Sequence, residues 1–170
     1  MERPEKNEYA AYYETYVSLV EETDIVAVLE NQIAEMQNLF AEITEEKAAF
    51  AYAEGKWTIK NLVGHLSDGE RIFAYRALRF ARADETALPG FEQDGYIENA
   101  NFDRVSLADL VEEFILLRRA NLLFFKNLPV EAWTRGGAAS DNFVSVRAIA
   151  YIMVGHVRHH INVLKTRYLN

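Results

Sequence analysis

Three of the chain's four histidines fall in one stretch, Tyr151-Ile152-Met153-Val154-Gly155-His156-Val157-Arg158-His159-His160-Ile161-Asn162-Val163-Leu164. His156 and His160 are four residues apart. On a helix that puts them one turn above each other, with Cβ atoms about 5–6 Å apart. Two imidazoles so spaced can converge on one metal ion, the geometric reason that H-E-x-x-H binds zinc. The remaining histidine, His65, lies far upstream on a separate helical stripe. Taken alone, an imidazole on an apolar face reads as a buried residue with its ring nitrogens satisfied. Three facing inward together read as a metal site, because an unpaired buried imidazole is costly and bundles build metal sites from facing helices. Three neutral imidazoles leave coordination positions open, which is the catalytic pattern rather than the structural one.

Other candidates flank these three. Asp68, three residues after His65, could reach the site as ligand, orienting group or general base, or could pair at the surface with Arg71, three residues further on. Glu70 points about 140° away round the helix from His65. His159 is offset from both His156 and His160, so it reads as a supporting residue or interface group rather than a ligand. Asp68, His159 and Arg71 are therefore the candidate supporting or pocket residues, and no general acid or nucleophile declares itself. With no cysteine in the chain, a metal must rely on imidazole and carboxylate.

Helices must position these groups. Tyr9, Tyr12, Tyr13, Tyr16, Val17 and Val20 give one apolar face of a short N-terminal helix between Tyr9 and Glu22. Thr23 or Asp24 caps a long helix whose stripe runs Ile25, Leu29, Ile33, Met36, Phe40, Ile43 to about Thr44. Glu45 to Lys56 reads as a connection. Thr58 caps a second long helix, with Leu62, Leu66, Gly69, Ile72, Phe73 and Phe80 inward and His65 on the same face. Ala83 to Val105 has no clear helical period and carries the turn signals Pro89-Gly90 and Asp94-Gly95. It is either functional or a plain crossover. Ser106 opens the third long helix, lined by Leu107, Leu110, Phe114, Leu117, Asn121 and Phe124 and stopped at Pro129. Arg118 and Arg119 flank that face and read as solvated, with an anion-binding role in a bundle pocket as the other reading. Val130 to Phe143 is a further loop, and Ser145 caps the last helix, on whose seam His156 and His160 replace apolar residues. No strand pattern stands out. The expected fold is all-α: a helix bundle with a short extra N-terminal helix and long connecting loops, one domain over residues 1–170.

Composition narrows the function. Half of the 170 residues are hydrophobic and the formal charge is -8. That charge argues against a nucleic-acid surface. No uncharged apolar run approaches the roughly 18 residues of a membrane span, and Met1 to Glu8 is polar, without a targeting pattern. The expectation is a cytoplasmic protein that touches neither membrane nor nucleic acid.

The chain resembles the DinB/YfiT-like superfamily of metalloenzymes, in particular its DinB-like branch. The resemblance is carried by Glu8-Tyr9-Ala10 with Tyr12-Tyr13, by Gly55-Lys56-Trp57-Thr58, and by Gly64-His65-Leu66-Ser67-Asp68-Gly69-Glu70-Arg71. It continues through Leu88-Pro89-Gly90-Phe91 to the terminal Gly155-His156-Val157-Arg158-His159-His160. It implies a four-helix bundle of up-down-down-up topology, often dimeric, with the three family ligands falling on His65, His156 and His160. It also implies a divalent metal, zinc or nickel, though three imidazoles suit iron or copper as well. Relatives are described as metal-dependent hydrolases or as enzymes that use low-molecular-weight thiols. The leading expectation is thus a metalloenzyme activating water or a thiol, as hydrolase or thiol-dependent transferase, on a small-molecule substrate, as a homodimer. The alternative is a non-catalytic metal-containing module that binds a small ligand. The blandest reading is a metal-free helical dimer with core histidines.

Overall fold

A computed structural model describes residues 2–169; Met1 and Asn170, the two ends of the expected 1–170 domain, lie outside the described residues. The helices are α1 (Glu14–Val17), α2 (Ile25–Ala41), α3 (Glu45–Ala48), α4 (Ile59–Ala81), α5 (Gln93–Ala100), α6 (Leu107–Lys126) and α7 (Val146–Val163), which runs on into a π-helical turn, Leu164–Tyr168. The four long ones, α2, α4, α6 and α7, form a four-helix bundle.

Their starts follow the capping signals. Side-chain oxygens of Asp24, Thr58, Ser106 and Ser145 accept from the backbone N–H groups of Ala27, Asn61, Asp109 and Ala148 at 3.1 Å each. Each such cap is worth about 1 kcal/mol. Cross-bundle bonds give the directions. The Tyr168 hydroxyl donates to the carbonyl of Trp57, so the end of the α7 segment meets the start of α4 and the two are antiparallel. Glu45 bonds both Lys60 and the N–H of Leu107, so α4 and α6 start at the same end and run parallel. Tyr151 near the start of α7 donates to the carbonyl of Glu22 just before α2, and Lys126 at the end of α6 pairs with Glu30 of α2. Hence α2 and α7 run one way and α4 and α6 the other, the up-down-down-up arrangement.

The connections hold more structure than periodicity suggests. The N-terminal helix is shorter than its apolar stripe: a 3-10 turn at Ala11–Tyr13 precedes α1. The connection after α2 contains the single turn α3, and the long crossover between α4 and α6 contains α5 and a 3-10 turn at Phe102–Arg104. The loop before α7 folds as an antiparallel hairpin, β1 (Gly136–Ala139) with β2 (Asn142–Ser145), where no strand was expected. Four-residue strands with two glycines carry too little alternation to be read in advance.

Arg118 also departs from its surface reading. It is fully buried, with its guanidinium forked onto Glu70 at 2.8 and 2.9 Å and a third bond to Gln32 Oε1 at 2.7 Å. Gln32 donates on to the carbonyl of Val154, and Asn121 donates to Glu70, so one polar network ties all four bundle helices. An arginine buried this deeply needs such partners, because desolvating it unpaired would cost several kcal/mol.

Candidate metal centre

Helix α4 brings His65 and the antiparallel α7 brings His156 and His160 to one point inside the bundle. Their ligand-capable ring nitrogens all lie within 4.8 Å of one another. Nε2 of His65 is 2.9 Å from Nε2 of His156, one ring donating and the other accepting. His65 and His156 are buried and His160 is half-buried. The rings are held from outside by aromatic edges: Trp57 stands 4.9 Å from His65, while Tyr16 and Phe73 stand 5.3 and 5.8 Å from His156, centre to centre.

Two glycines make this closeness possible. A Cβ on Gly155 would fall 2.1 Å from the carbonyl oxygen of Tyr16, so α1 can lie against α7 only because that position is bare. A Cβ on Gly69 would sit 3.0 Å from the His156 ring. The N-terminal segment is fastened by Glu8, whose carboxylate accepts from Ser145 at 2.6 Å and pairs with Arg147. That fastening carries Tyr12, Tyr13 and Tyr16 to the centre.

Burial depresses the basicity of all three imidazoles. His65 is lowered to about 4, by burial and against the opposing charge of Asp94. His160 is lowered to about 3, by burial and then by His65 and His159. His156 falls well below its ordinary value, by burial first and then by the neighbouring imidazoles. At neutral pH all three are therefore neutral, and each keeps one ring-nitrogen lone pair with which a metal could replace the His65–His156 hydrogen bond. A tetrahedral ion with bonds of about 2.0–2.1 Å wants its nitrogens about 3.3 Å apart. The observed separations, 2.9 Å for His65 to His156 and none above 4.8 Å, bracket that distance, so the donor set suits a nitrogen-bound divalent ion.

A cavity of about 380 Å³ opens on His65 and His156. Its walls are Tyr12, Tyr13, Tyr16 and Phe73 on one side and the crossover segment 90–94 with Ser140 of the hairpin turn on the other. The only charged side chains lining it, among the described residues, are Glu92 and Asp94.

The remaining sequence candidates lie elsewhere. Asp68 stands 4.0 Å from Arg71, which also binds Glu113, and burial raises the Asp68 carboxyl. Neither Asp68 nor Arg71 lines the cavity. His159 sits beside the cluster, its ring 5.5 Å from Tyr16 and 5.1 Å from His160, and is not one of the converging groups. Arg119 is exposed. Sequence reasoning passed over Glu92, saw Asp94 only in the Asp94-Gly95 turn signal of an aperiodic stretch, and read the tyrosines as an apolar helix face.

Comparison with known proteins gives two findings. A family model described as the DinB superfamily matches residues 29–164. Among solved structures, YfiT from Bacillus subtilis, described as a probable metal-dependent hydrolase with an unusual four-helix bundle topology, superposes with a TM-score of 0.75 over 96% of this chain and 90% of its own, at 15% sequence identity. Comparison with curated proteins returned no match.

Proposed function

The chain belongs to the DinB superfamily, and on that premise we propose that it is a metal-dependent hydrolase of small molecules, with His65, His156 and His160 as the protein ligands of one divalent ion. The observation that carries this reading is the convergence of three neutral, largely buried imidazoles within 4.8 Å beside an open cavity. An ion bound there would polarise a carbonyl oxygen and lower the pKa of a coordinated water. The protein's own part is to keep the imidazoles unprotonated by burial, to fix His65 against Trp57 and His156 against Tyr16, and to enclose the substrate in aromatic walls.

A cavity of about 380 Å³ is of small-molecule size. Its acidic rather than basic lining favours a neutral or cationic substrate over an anionic thiol, and so hydrolysis over thiol transfer. Zinc or nickel is the proposed ion. The exposed Tyr75, Leu78, Leu116 and Leu123 on α4 and α6 support a homodimer through that face. The charge of -8 speaks against nucleic acid as a partner, and no helix among the described residues is long and apolar enough to cross a membrane.

Metal analysis of the purified protein beside His160→Ala tests the ligand set, and a panel of esters and amides tests the reaction. The expected result is about one ion per chain, lost in the variant, with hydrolysis that stops on chelation. Equal metal content in both proteins overturns the ligand set. Metal-dependent ligand binding without turnover would mark a binding module instead.

A further inference from the structure

Three imidazoles contribute no charge, so a divalent ion held by them leaves two positive charges at the base of a cavity walled by aromatic rings. Low-dielectric surroundings make an unbalanced charge costly. The acidic residues near the centre differ in what they are free to do. Glu70 is committed to Arg118 and Asn121, and Asp68 faces Arg71. Glu92 and Asp94 line the cavity itself. Of these two, Glu92 precedes α5 whereas Asp94 sits in its first turn, and α5 packs against α4, the helix that carries His65. Asp94 is exposed at the cavity, and its carboxylate has no hydrogen-bond or ion-pair partner among the described residues.

The segment that carries Asp94 is pinned at both ends. On one side Arg76, a buried arginine of α4, donates to the carbonyl of Pro89 at 2.9 Å, and Leu88 bonds Ala138 of the hairpin. On the other, Phe102 lies where a Cβ on Gly64 would be, 2.5 Å away, and Thr58 donates to Asp103 at 2.9 Å. Between these anchors α5 stands over the cavity with Asp94 in its first turn.

We propose that Asp94 is the carboxylate partner of the three-histidine centre: its charge offsets that of the ion and ties the docking of α5 to ion binding. This rests on the three-histidine reading of the site. Asp94 is outside the group of nitrogens that converge within 4.8 Å, so it acts across the cavity and not within the imidazole cluster.

The test is Co(II) and Zn(II) affinity by chelator competition for the full-length protein, Asp94→Asn, Asp68→Asn and His160→Ala, together with amide hydrogen exchange of residues 91–100. Asp94→Asn is expected to weaken binding about tenfold, the effect typical of a group that supports metal ligands from outside, while Asp68→Asn leaves it unchanged. Ion loading should slow exchange across α5 in the parent protein and not in Asp94→Asn, with the two metal-free proteins exchanging alike. That last comparison separates charge pairing from a structural role of an aspartate in the first turn of a helix. Affinity within twofold of the parent, with α5 slowed equally in both, overturns the proposal and leaves the histidine site standing. Equal binding by the parent and His160→Ala overturns both.

Discussion

Replacing Arg118 by methionine removes a charge that the bundle has buried completely, while keeping most of the apolar stem. Three hydrogen bonds go with the guanidinium, two to Glu70 and one to Gln32. Glu70 is left almost fully buried with only Asn121 donating to it. Breaking a buried pair from one side costs about 3–5 kcal/mol, a large share of the roughly 5–15 kcal/mol that holds a domain folded. With a urea dependence of about 2 kcal/mol per molar, a loss of about 4 kcal/mol lowers the unfolding midpoint by about 2 M at unchanged slope. Urea titration followed by far-ultraviolet circular dichroism measures it. Combining Arg118→Met with Glu70→Leu should restore part of the loss, because the stranded carboxylate is gone. Recovery stays incomplete, since Gln32 and Asn121 each lose a partner at about 1–3 kcal/mol. A midpoint for Arg118→Met within about 0.5 M of the parent would refute the argument that this pair is desolvated and interlocked.

Two further outcomes follow from the site. In the metal-free protein the folded-state pKa values of His65 and His160, about 4 and about 3, lie below the unfolded value of 6.5. Between those limits the unfolded chain binds the extra protons, so stability is fully present above about pH 6.5 and falls as the pH is lowered, by up to about 1.4 kcal/mol per pH unit for each titrating histidine. Thermal melts from pH 7 to 5 should show this decline, and His156→Leu should flatten it; melts that rise on acidification would contradict it. Gly155→Ala should lose about 1–3 kcal/mol by overpacking, because its Cβ meets the Tyr16 backbone at 2.1 Å. An unchanged urea midpoint would mean that α1 does not rest on α7.

What the sequence discloses depends on how locally each feature is encoded. The four long helices are legible because each carries a cap residue and an apolar stripe within its own span, and His156 and His160 inherit their geometry from one such stripe. His65 is legible as inward-facing for the same reason. The cavity is different. Besides Phe73 and the histidines of the bundle helices, its walls come from three segments with no shared period: the tyrosines before α2, the crossover at 90–94 and the hairpin turn at Ser140. Only tertiary anchors such as Arg76 to Pro89 and Glu8 to Arg147 bring them together, so Asp94 cannot be told from any turn aspartate. Arg118 was within reach of sequence reasoning. Gln32 and Glu70 are polar residues on two other bundle helices and are the partners the buried guanidinium takes, while Asn121, on the arginine's own helix, donates to Glu70.

That network also bears on the centre. Gln32 bonds the carbonyl of Val154, two residues before His156, and thereby fixes the α7 backbone beside the ligand-bearing turn. The protonation of His156 is opposed first by burial, then by the neighbouring imidazoles, and then by the charge of Arg118. Glu70 screens that charge but does not erase it, because the guanidinium and the carboxylate occupy different points. An imidazolium at His156 would face a cation across the core, whereas a neutral imidazole keeps its lone pair for a ligand role. Burial comes first among these causes, so His156 is neutral at neutral pH without the arginine, whose part in the centre is positional, through Gln32. Arg118→Met should therefore free Gln32 and raise amide exchange of the α7 backbone around Val154 beyond what the loss of global stability accounts for, whereas a purely scaffolding arginine would change stability alone.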